Sequence, residues 1–178
     1  MKIRKAAAGD LARIVEIYNQ AIPTRAITAD LTPVTVASRS AWFDFHLTSP
    51  SYPIWVMETQ PEKTAVKNPA VFLSPEIFGW FSFSPFYPRE AFAQTVEISL
   101  YLDQQRKGQG WGSQALQFMQ QEMHHYDIHT LMAYVMEENH ISRRAFEKQG
   151  FSQWGRYPNI ANMGDRLQTF LIYGFQQL

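Results

Sequence analysis

Apolar residues recur along the chain with two different periods, and each period predicts one type of secondary structure. Spacings of three and four residues predict four helices, at residues 11–22, 35–47, 111–123 and 142–149. Alternating or continuous apolar runs predict seven strands, at residues 2–6, 54–58, 77–84, 94–102, 129–136, 151–157 and 167–173. The nearly continuous apolar run at 129–136 indicates a central strand.

The predicted order of elements, β α α β β β α β α β β, indicates an α/β fold with one mixed sheet of about seven strands flanked by about four helices. A chain of 178 residues can bury the core of one domain, and no repeat or linker divides it, so we expect a single domain over residues 1–178. Residues 60–75 are predicted to form an extended hairpin loop, and 158–166 a polar loop. Residues 24–33 follow a helix and are a candidate substrate loop.

Composition narrows the functions to consider. Lys plus Arg and Asp plus Glu each number 16, so the chain has no net charge that would attract nucleic acid or a membrane surface. The absence of Cys excludes disulfides, thiol catalysis and Cys-based zinc sites, and it fits a cytoplasmic location. We also expect no signal peptide and no transmembrane helix, because no sufficiently long apolar run is present.

Three histidines close together in the sequence raise the question of a metal site. The spacing of His124, His125 and His129 matches no standard metal motif, and no Cys or acidic cluster supports one. We therefore expect exposed histidines and no metal.

A basic, glycine-rich segment lies between a predicted strand and a predicted helix. It consists of Lys107, Gly108, Gln109, Gly110, Trp111, Gly112 and Ser113. Glycines let backbone N–H groups turn toward a ligand, and a helix N-terminus adds unpaired donors and a positive dipole end, which together suit a pyrophosphate. The alternative is a tight turn that needs glycine only for its geometry. The segment matches neither the dinucleotide-binding fingerprint nor a Walker loop.

Two polar residues near this turn are candidates for chemistry. Glu97 lies between Val96 and Ile98, and burial in a cleft would raise its pKa and suit a general base. The alternative is a solvated glutamate on an exposed strand face. Asn139 follows a strand and precedes a helix, so it is either an N-cap or an amide contact to a ligand.

The strand at 77–84 alternates aromatic and small residues, so one of its faces could form a pocket wall. Phe86, Tyr87 and Arg89 follow it in a proline-flanked loop and are candidate substrate contacts. Arg89 could bind a substrate carboxylate. The alternative is an ordinary surface salt bridge.

Together these motifs resemble the GNAT superfamily of N-acetyltransferases, and in particular its phosphinothricin and methionine-sulfoximine acetyltransferase branch. The resemblance covers nearly the whole chain, through residues 3–11, 17–19, 42–43, 79–86, 96–102, 107–113 and 139–151. Its most specific part is the glycine turn combined with the strand around Glu97 and with Asn139.

The resemblance implies the GNAT fold and acetyl-CoA as co-substrate. Backbone groups of Leu100, Tyr101 and Leu102 would bind the pantetheine arm, and N–H groups of residues 108–113 would bind the pyrophosphate. Asn139 would reach the pantetheine or the sulfur end. Glu97 would act as general base on the primary amine of a small molecule, such as an amino acid or an analogue. Together with the high aromatic content, the family pattern also implies a homodimer.

Some positions depart from the family pattern. Lys107 stands where the family usually has Gln or Arg, and it is cationic, as Arg is. Phe146 stands where many relatives carry a tyrosine that protonates the departing thiolate, which leaves the general acid unassigned. Residues 165–168 stand where the branch commonly has a Trp-His-Asp-like run near the C-terminus. The resemblance therefore does not imply a phosphinothricin-type acceptor. A non-catalytic acyl-CoA-binding module and a protein N-terminal or lysine acetyltransferase are the alternatives.

Overall fold

A computed structural model describes residues 1–60 and 75–177 of the chain. The strands are β1 (Lys2–Lys5), β2 (Ile54–Glu58), β3 (Ile77–Pro85), β4 (Thr95–Leu102), β5 (Thr130–Met136), β6 (Ser152–Asn162) and β7 (Leu167–Gln176). The α-helices are α1 (Leu11–Asn19), α2 (Val36–Thr48), α3 (Trp111–Glu122) and α4 (His140–Lys148). The seven strands form one mixed sheet in the order β1-β2-β3-β4-β5-β7-β6. This confirms the predicted α/β class and order of elements.

The main difference from the predicted boundaries lies in the last hairpin. β6 continues to Asn162, so much of the predicted loop at 158–166 is strand. Pro158 is tolerated there because β6 is an edge strand, where a missing N–H costs no sheet hydrogen bond. The register of β6 on β7 shifts between Tyr157 and Ala161, which accommodates the irregular stretch.

Smaller differences concern helix ends and one loop. α1 ends at Asn19 rather than at residue 22, and Pro23 lies in a short 3-10 turn after it, because proline cannot continue the α-helical hydrogen bonds. α4 begins at His140, two residues before the predicted start. The predicted 60–75 loop lies outside the described residues except for its two end positions.

The two sheet faces bury two separate hydrophobic clusters. The α1–α2 face is packed by Leu11, Ile14, Val15, Ile17, Phe43, Ile54, Val56 and Trp80. The larger cluster, on the α3–α4 face, includes Trp55, Phe81, Phe83, Val96, Ile98, Leu116, Met119, Leu131, Val135 and Tyr173. Because side chains alternate along a strand, Glu97 and Tyr101 of β4 project to the α1–α2 face, opposite Ile98.

The central strands separate partway along their length. β4 pairs with β3 from Val96 to Leu102, but it pairs with β5 only from Thr95 to Glu97. Beyond this point β5 stays paired with β7 on its other side. The sheet therefore opens between β4 and β5.

Within the described ranges, no helix is both long enough and apolar enough to cross a membrane.

Candidate active site

The opening between β4 and β5 contains a cavity of about 520 Å³. The structure brings most of the predicted site residues together in its wall. These are Glu97, Leu100, Tyr101, Leu102, Lys107, Gly108, Gly110, Trp111, Gly112, Ser113 and Asn139. The cavity therefore joins the candidate base, the candidate phosphate turn and the open strand edge.

The unpaired edge of β4 forms part of the cavity wall. Past Glu97 the strand has no sheet partner on its β5 side, although Leu100 to Leu102 stay paired with β3. Backbone N–H and C=O groups without a partner are costly when buried and form a ready template for an extended ligand. An extended amide-containing chain can therefore lie along β4 like an additional strand.

The glycine turn has a geometry that requires glycine at two positions. Gly108 has a φ of 76° and Gly110 a φ of 83°, in the left-handed region that side chains with a Cβ rarely adopt. Gly110 is the N-cap of α3 and has no side chain to cap it, so the first N–H groups of the helix stay available for a ligand. The turn can therefore bind an anion at the helix N-terminus.

Gln109, Trp111 and Lys107 of the turn differ in what their side chains contact. Gln109 does not line the cavity, and its side-chain oxygen accepts a hydrogen bond of 3.1 Å from Trp111 Nε1. The Trp111 ring packs on Phe78, with 5.5 Å between ring centroids, which holds the start of α3 against the sheet. Burial lowers the pKa of the Lys107 ammonium, although the Asp103 carboxylate opposes that change. Lys107 lines the cavity beside the turn, and an anion bound there would favour its charged form.

Glu97 is half-buried and projects to the α1–α2 face. Burial raises the pKa of its carboxyl, and no described residue donates a hydrogen bond to it that would oppose this. A carboxylate with a raised pKa and free lone pairs is suited to accept a proton.

Asn139 serves as the N-cap of α4, as one interpretation of the sequence predicted. Its side-chain oxygen accepts a hydrogen bond of 3.1 Å from the Ser142 N–H group. The amide NH₂ donates to no described residue, so it is free for a contact in the cavity that Asn139 also lines. Phe146 of α4 lines the same cavity without any group that could donate a proton.

A second cavity, of about 210 Å³, lies between the sheet and helices α1 and α2. It shares Glu97, Ser99 and Tyr101 with the first cavity. The Tyr101 ring stacks on Trp80 at 4.8 Å, and burial raises its pKa well above the ordinary tyrosine range. Trp80 therefore contributes to a pocket wall, as the alternation in β3 predicted, whereas Phe81 and Phe83 are core residues of the opposite face.

The loop at 24–33 is held over the first cavity by a hydrogen-bond network. The Tyr18 hydroxyl lies 2.6 Å from Thr28 Oγ1 and donates to Asp30 Oδ2 at 2.6 Å. Arg39 forms an ion pair of 2.7 Å with the same Asp30 oxygen. Ile27, Thr28 and Ala29 of this loop line the cavity, and its role as a substrate loop stays a prediction.

The predicted substrate contacts lie elsewhere. Phe86, Tyr87 and Arg89 belong to the loop after β3 and line neither described cavity. Tyr87 is 51% exposed and packs edge-on against Phe92. Conversely, Tyr134 of β5 and Phe170 of β7 line the first cavity although no motif singled them out. The strand pattern alone could have identified only their shared sheet face.

His124, His125 and His129 are exposed, as expected from the sequence. Among the residues that the structure describes, no group of three or more His, Cys, Asp or Glu side chains could hold a metal ion.

Comparison with known proteins identifies the family. The model of the acetyltransferase (GNAT) domain matches residues 1–152, which is well over half of the chain. YwnH of Bacillus subtilis, a candidate phosphinothricin acetyltransferase, is 36% identical over 174 residues that cover 98% of each protein. The L-methionine sulfoximine/L-methionine sulfone acetyltransferase of Pseudomonas paraeruginosa is 31% identical over 176 residues, which cover 99% of this chain and 92% of that enzyme.

A solved structure shows the same fold. The crystal structure of a candidate phosphinothricin N-acetyltransferase superposes with a TM-score of 0.86 at 35% identity, over 98% of this chain and 97% of the other. The predicted GNAT fold is confirmed. The chain therefore belongs to the GNAT acetyltransferase family and is an N-acetyltransferase.

Proposed function

We propose that this single-domain protein transfers the acetyl group of acetyl-CoA to the primary amine of a small molecule, an amino acid or an analogue, with Glu97 as general base. The observation that carries the proposal is one cavity that joins three parts: the Glu97 carboxylate, the open edge of β4 and the glycine turn at the N-terminus of α3. The names of the relatives, which concern amino-acid analogues, support the same class of acceptor.

The residues of the cavity fit acetyl-CoA along its length. Backbone groups of Leu100, Tyr101 and Leu102 can pair with the amides of the pantetheine arm, because this edge of β4 lacks a strand partner. N–H groups of residues 108–113 and the Lys107 ammonium suit the pyrophosphate charge. The free NH₂ group of Asn139 can donate to the pantetheine arm near the sulfur.

The chemistry follows from the position of Glu97. Acetyl-CoA supplies an acetyl group activated as a thioester. Glu97 takes a proton from the acceptor ammonium, through a water molecule, and the free amine attacks the thioester carbonyl directly. A backbone N–H group near Leu100, at the open edge, stabilises the negative oxygen that develops. The nitrogen of the tetrahedral adduct then loses its extra proton to solvent, the C–S bond breaks, and the CoA thiolate leaves and takes up a proton from solvent, so no covalent enzyme intermediate is required.

Phe86, Tyr87 and Arg89 stay proposed acceptor contacts, supported only by their position directly after β3. They could meet an acceptor that extends out of the cavity. If they do, Arg89→Ala raises the KM of an amino-acid acceptor without changing the KM of acetyl-CoA.

A thiol-release assay with acetyl-CoA and a panel of amino acids, methionine sulfone and polyamines tests the function. We expect turnover on amino acids or their analogues. Glu97→Gln should lower kcat about 100-fold or more. Acetyl-CoA affinity, measured by calorimetry, should stay nearly unchanged. Tight acetyl-CoA binding without turnover on any amine would instead favour a binding module. Activity only on protein N-termini or lysines would contradict the small-molecule acceptor.

We further propose a cytoplasmic homodimer. Edge strand β6 presents Trp154, Tyr157 and Ile160 to solvent, with 46%, 47% and 62% of each residue exposed. Such an apolar edge is suited to an interface between copies. Light scattering that gives the mass of one chain at micromolar concentration would contradict the dimer.

A further inference from the structure

Tyr134 is a cavity residue with no part in the chemistry proposed above. It lies in β5, lines the cavity beside the open edge of β4, and is 43% exposed. Its hydroxyl has no hydrogen-bond partner among residues 1–60 and 75–177. A tyrosine placed this way has a free donor that faces the site.

The register of the sheet places Tyr134 relative to Glu97. Glu97 pairs with Met132, and Tyr134 is the next residue of β5 on the same face, because side chains alternate. Strand spacing and rise put the Cα atoms of Glu97 and Tyr134 about 8 Å apart, on the two arms of the opening. An acceptor amine at Glu97 therefore has the Tyr134 side chain on its other side.

The other residues around Glu97 and Tyr134 are uncharged. Ile27, Thr28 and Ala29 of the substrate loop, Ser99 and Tyr101 of β4 and Phe170 of β7 line this part of the cavity. Among the described residues that line the cavity, Lys107 is the only cation, and it lies by the glycine turn. Arg39 lines the second cavity with Glu97, but its guanidinium is held in an ion pair with Asp30. For a carboxylate attached next to the acceptor amine in the first cavity, the Tyr134 phenol is therefore a donor on the β5 side of the opening.

The phenol stays neutral under working conditions. Burial, together with the Glu97 carboxylate and Tyr157, raises the pKa of Tyr134 above its ordinary value. A neutral donor can bind a carboxylate without attracting the Glu97 carboxylate as a cation would. A hydrogen bond to a charged group in a partly dry site contributes more than one between neutral groups.

We propose that Tyr134 is a specificity-determining residue that donates a hydrogen bond to the carboxylate of an α-amino-acid acceptor. This rests on the proposed function, because it requires the amine of the same acceptor to lie at Glu97. Tyr134 shares the sheet face of the base, so it serves acceptor binding rather than protonation of the leaving thiolate.

The test compares two acceptors and two matched variants. The acceptors are L-methionine sulfone and the amine that results from its decarboxylation. Tyr134→Phe removes only the hydroxyl. Tyr52→Phe is the control, because Tyr52 lines neither described cavity and its hydroxyl has no hydrogen-bond partner among the described residues. We expect Tyr134→Phe to lower kcat/KM for the amino acid about tenfold, mainly through KM, as the loss of one charge-assisted hydrogen bond predicts. In Tyr134→Phe, the kcat/KM for the decarboxylated amine and the KM of acetyl-CoA should change less than about twofold, and so should every kinetic value of Tyr52→Phe.

Several outcomes would overturn the inference. An equal loss for both acceptors in Tyr134→Phe would indicate a general effect on the site, and no loss for either would remove the contact. A preference of the unaltered protein for the decarboxylated amine would also contradict it. Activity of the unaltered protein on amines in these experiments keeps the proposed function intact, whereas the absence of transfer to any amine would overturn both proposals.

Discussion

Glu97 and Met132 form the last cross-strand pair between the parallel strands β4 and β5. The candidate base therefore stands at the point where the sheet opens. Its backbone is fixed by pairing on both sides, with Ser84 of β3 and with Met132, while its side chain reaches a cavity that only the separation of the strands creates. A rigid base beside an open strand edge is the arrangement that direct transfer between two bound molecules requires.

The raised pKa of Glu97 predicts a distinct pH dependence of activity. Only the deprotonated carboxylate can accept a proton, so kcat/KM should rise with pH through the raised pKa of Glu97. Glu97→Gln should abolish this inflection. Glu122→Gln, at the far end of α3, is the control and should keep the profile. An unchanged profile in Glu97→Gln would remove Glu97 as the base.

The same shift predicts that Glu97 destabilises the fold. A carboxyl whose pKa is raised by folding binds its proton more tightly in the folded state, so stability falls as pH rises from the unfolded pKa through the folded pKa. Glu97→Gln should therefore raise Tm at neutral pH, with a gain that disappears below the ordinary carboxyl pKa. Thermal unfolding across this pH range measures it, and a lower Tm at neutral pH would contradict it.

Gly110→Ala should damage both the turn and co-substrate binding. Its φ of 83° costs a residue with a Cβ about 1–2 kcal/mol, although nothing lies within 4 Å of the added atom. We expect lower stability and an acetyl-CoA affinity reduced several-fold, measured by thermal unfolding and calorimetry. Gly9→Ala, which also has open space but no positive φ, is the control. Equal behaviour of the two variants would show that the left-handed backbone is not what the turn requires.

Gly174 is required for close packing rather than for backbone freedom. A Cβ at this position would clash with the Trp154 ring, which covers Gly174 across the hairpin. Gly174→Ala should destabilise the protein by about 1–3 kcal/mol in urea unfolding. Gly155→Ala, whose Cβ would have only ordinary contacts of 3.6 Å, should cost clearly less. Adding Trp154→Ala to Gly174→Ala should relieve the clash, so strictly additive effects would contradict this explanation.

Asp10 connects the first strand to the start of α1 and should control acid stability. Burial by itself would raise the pKa of Asp10, but hydrogen bonds from Arg4, at 2.7 and 3.1 Å, and from the Ala7 N–H group lower it overall. Its stabilising contribution is therefore present above the unfolded carboxyl pKa and is lost as pH falls through the lower folded pKa.

Asp10→Asn should cost roughly 1–3 kcal/mol at neutral pH and reduce the slope of acid unfolding. Asp165→Asn removes an exposed ion pair with Arg166 and should change stability by less than about 1 kcal/mol. Similar losses of unfolding free energy in the two variants would mean that burial of the Arg4–Asp10 pair does not increase its contribution to stability.

Much of the fold and part of the candidate site could be predicted because their signals are local. Alternation along β3 and β4 and helical spacing in α3 depend on neighbours within one element. Gly108 and Gly110 mark a turn because glycine tolerates a positive φ that other residues resist. Pro158 misled the prediction, because whether a proline ends a strand depends on whether that strand lies at an edge.

By itself, the sequence determined the order of elements, the mixed α/β class, the glycine turn and the carboxylate in the strand before it, because each of these is encoded by residue spacing and backbone preference. Only the tertiary structure decided that β4 separates from β5 directly after Glu97, that Tyr134 and Phe170 enter the cavity, and that Phe86, Tyr87 and Arg89 stay outside its wall. The physical reason is that these relations depend on strand register and on contacts between residues far apart in the chain, which no local period specifies.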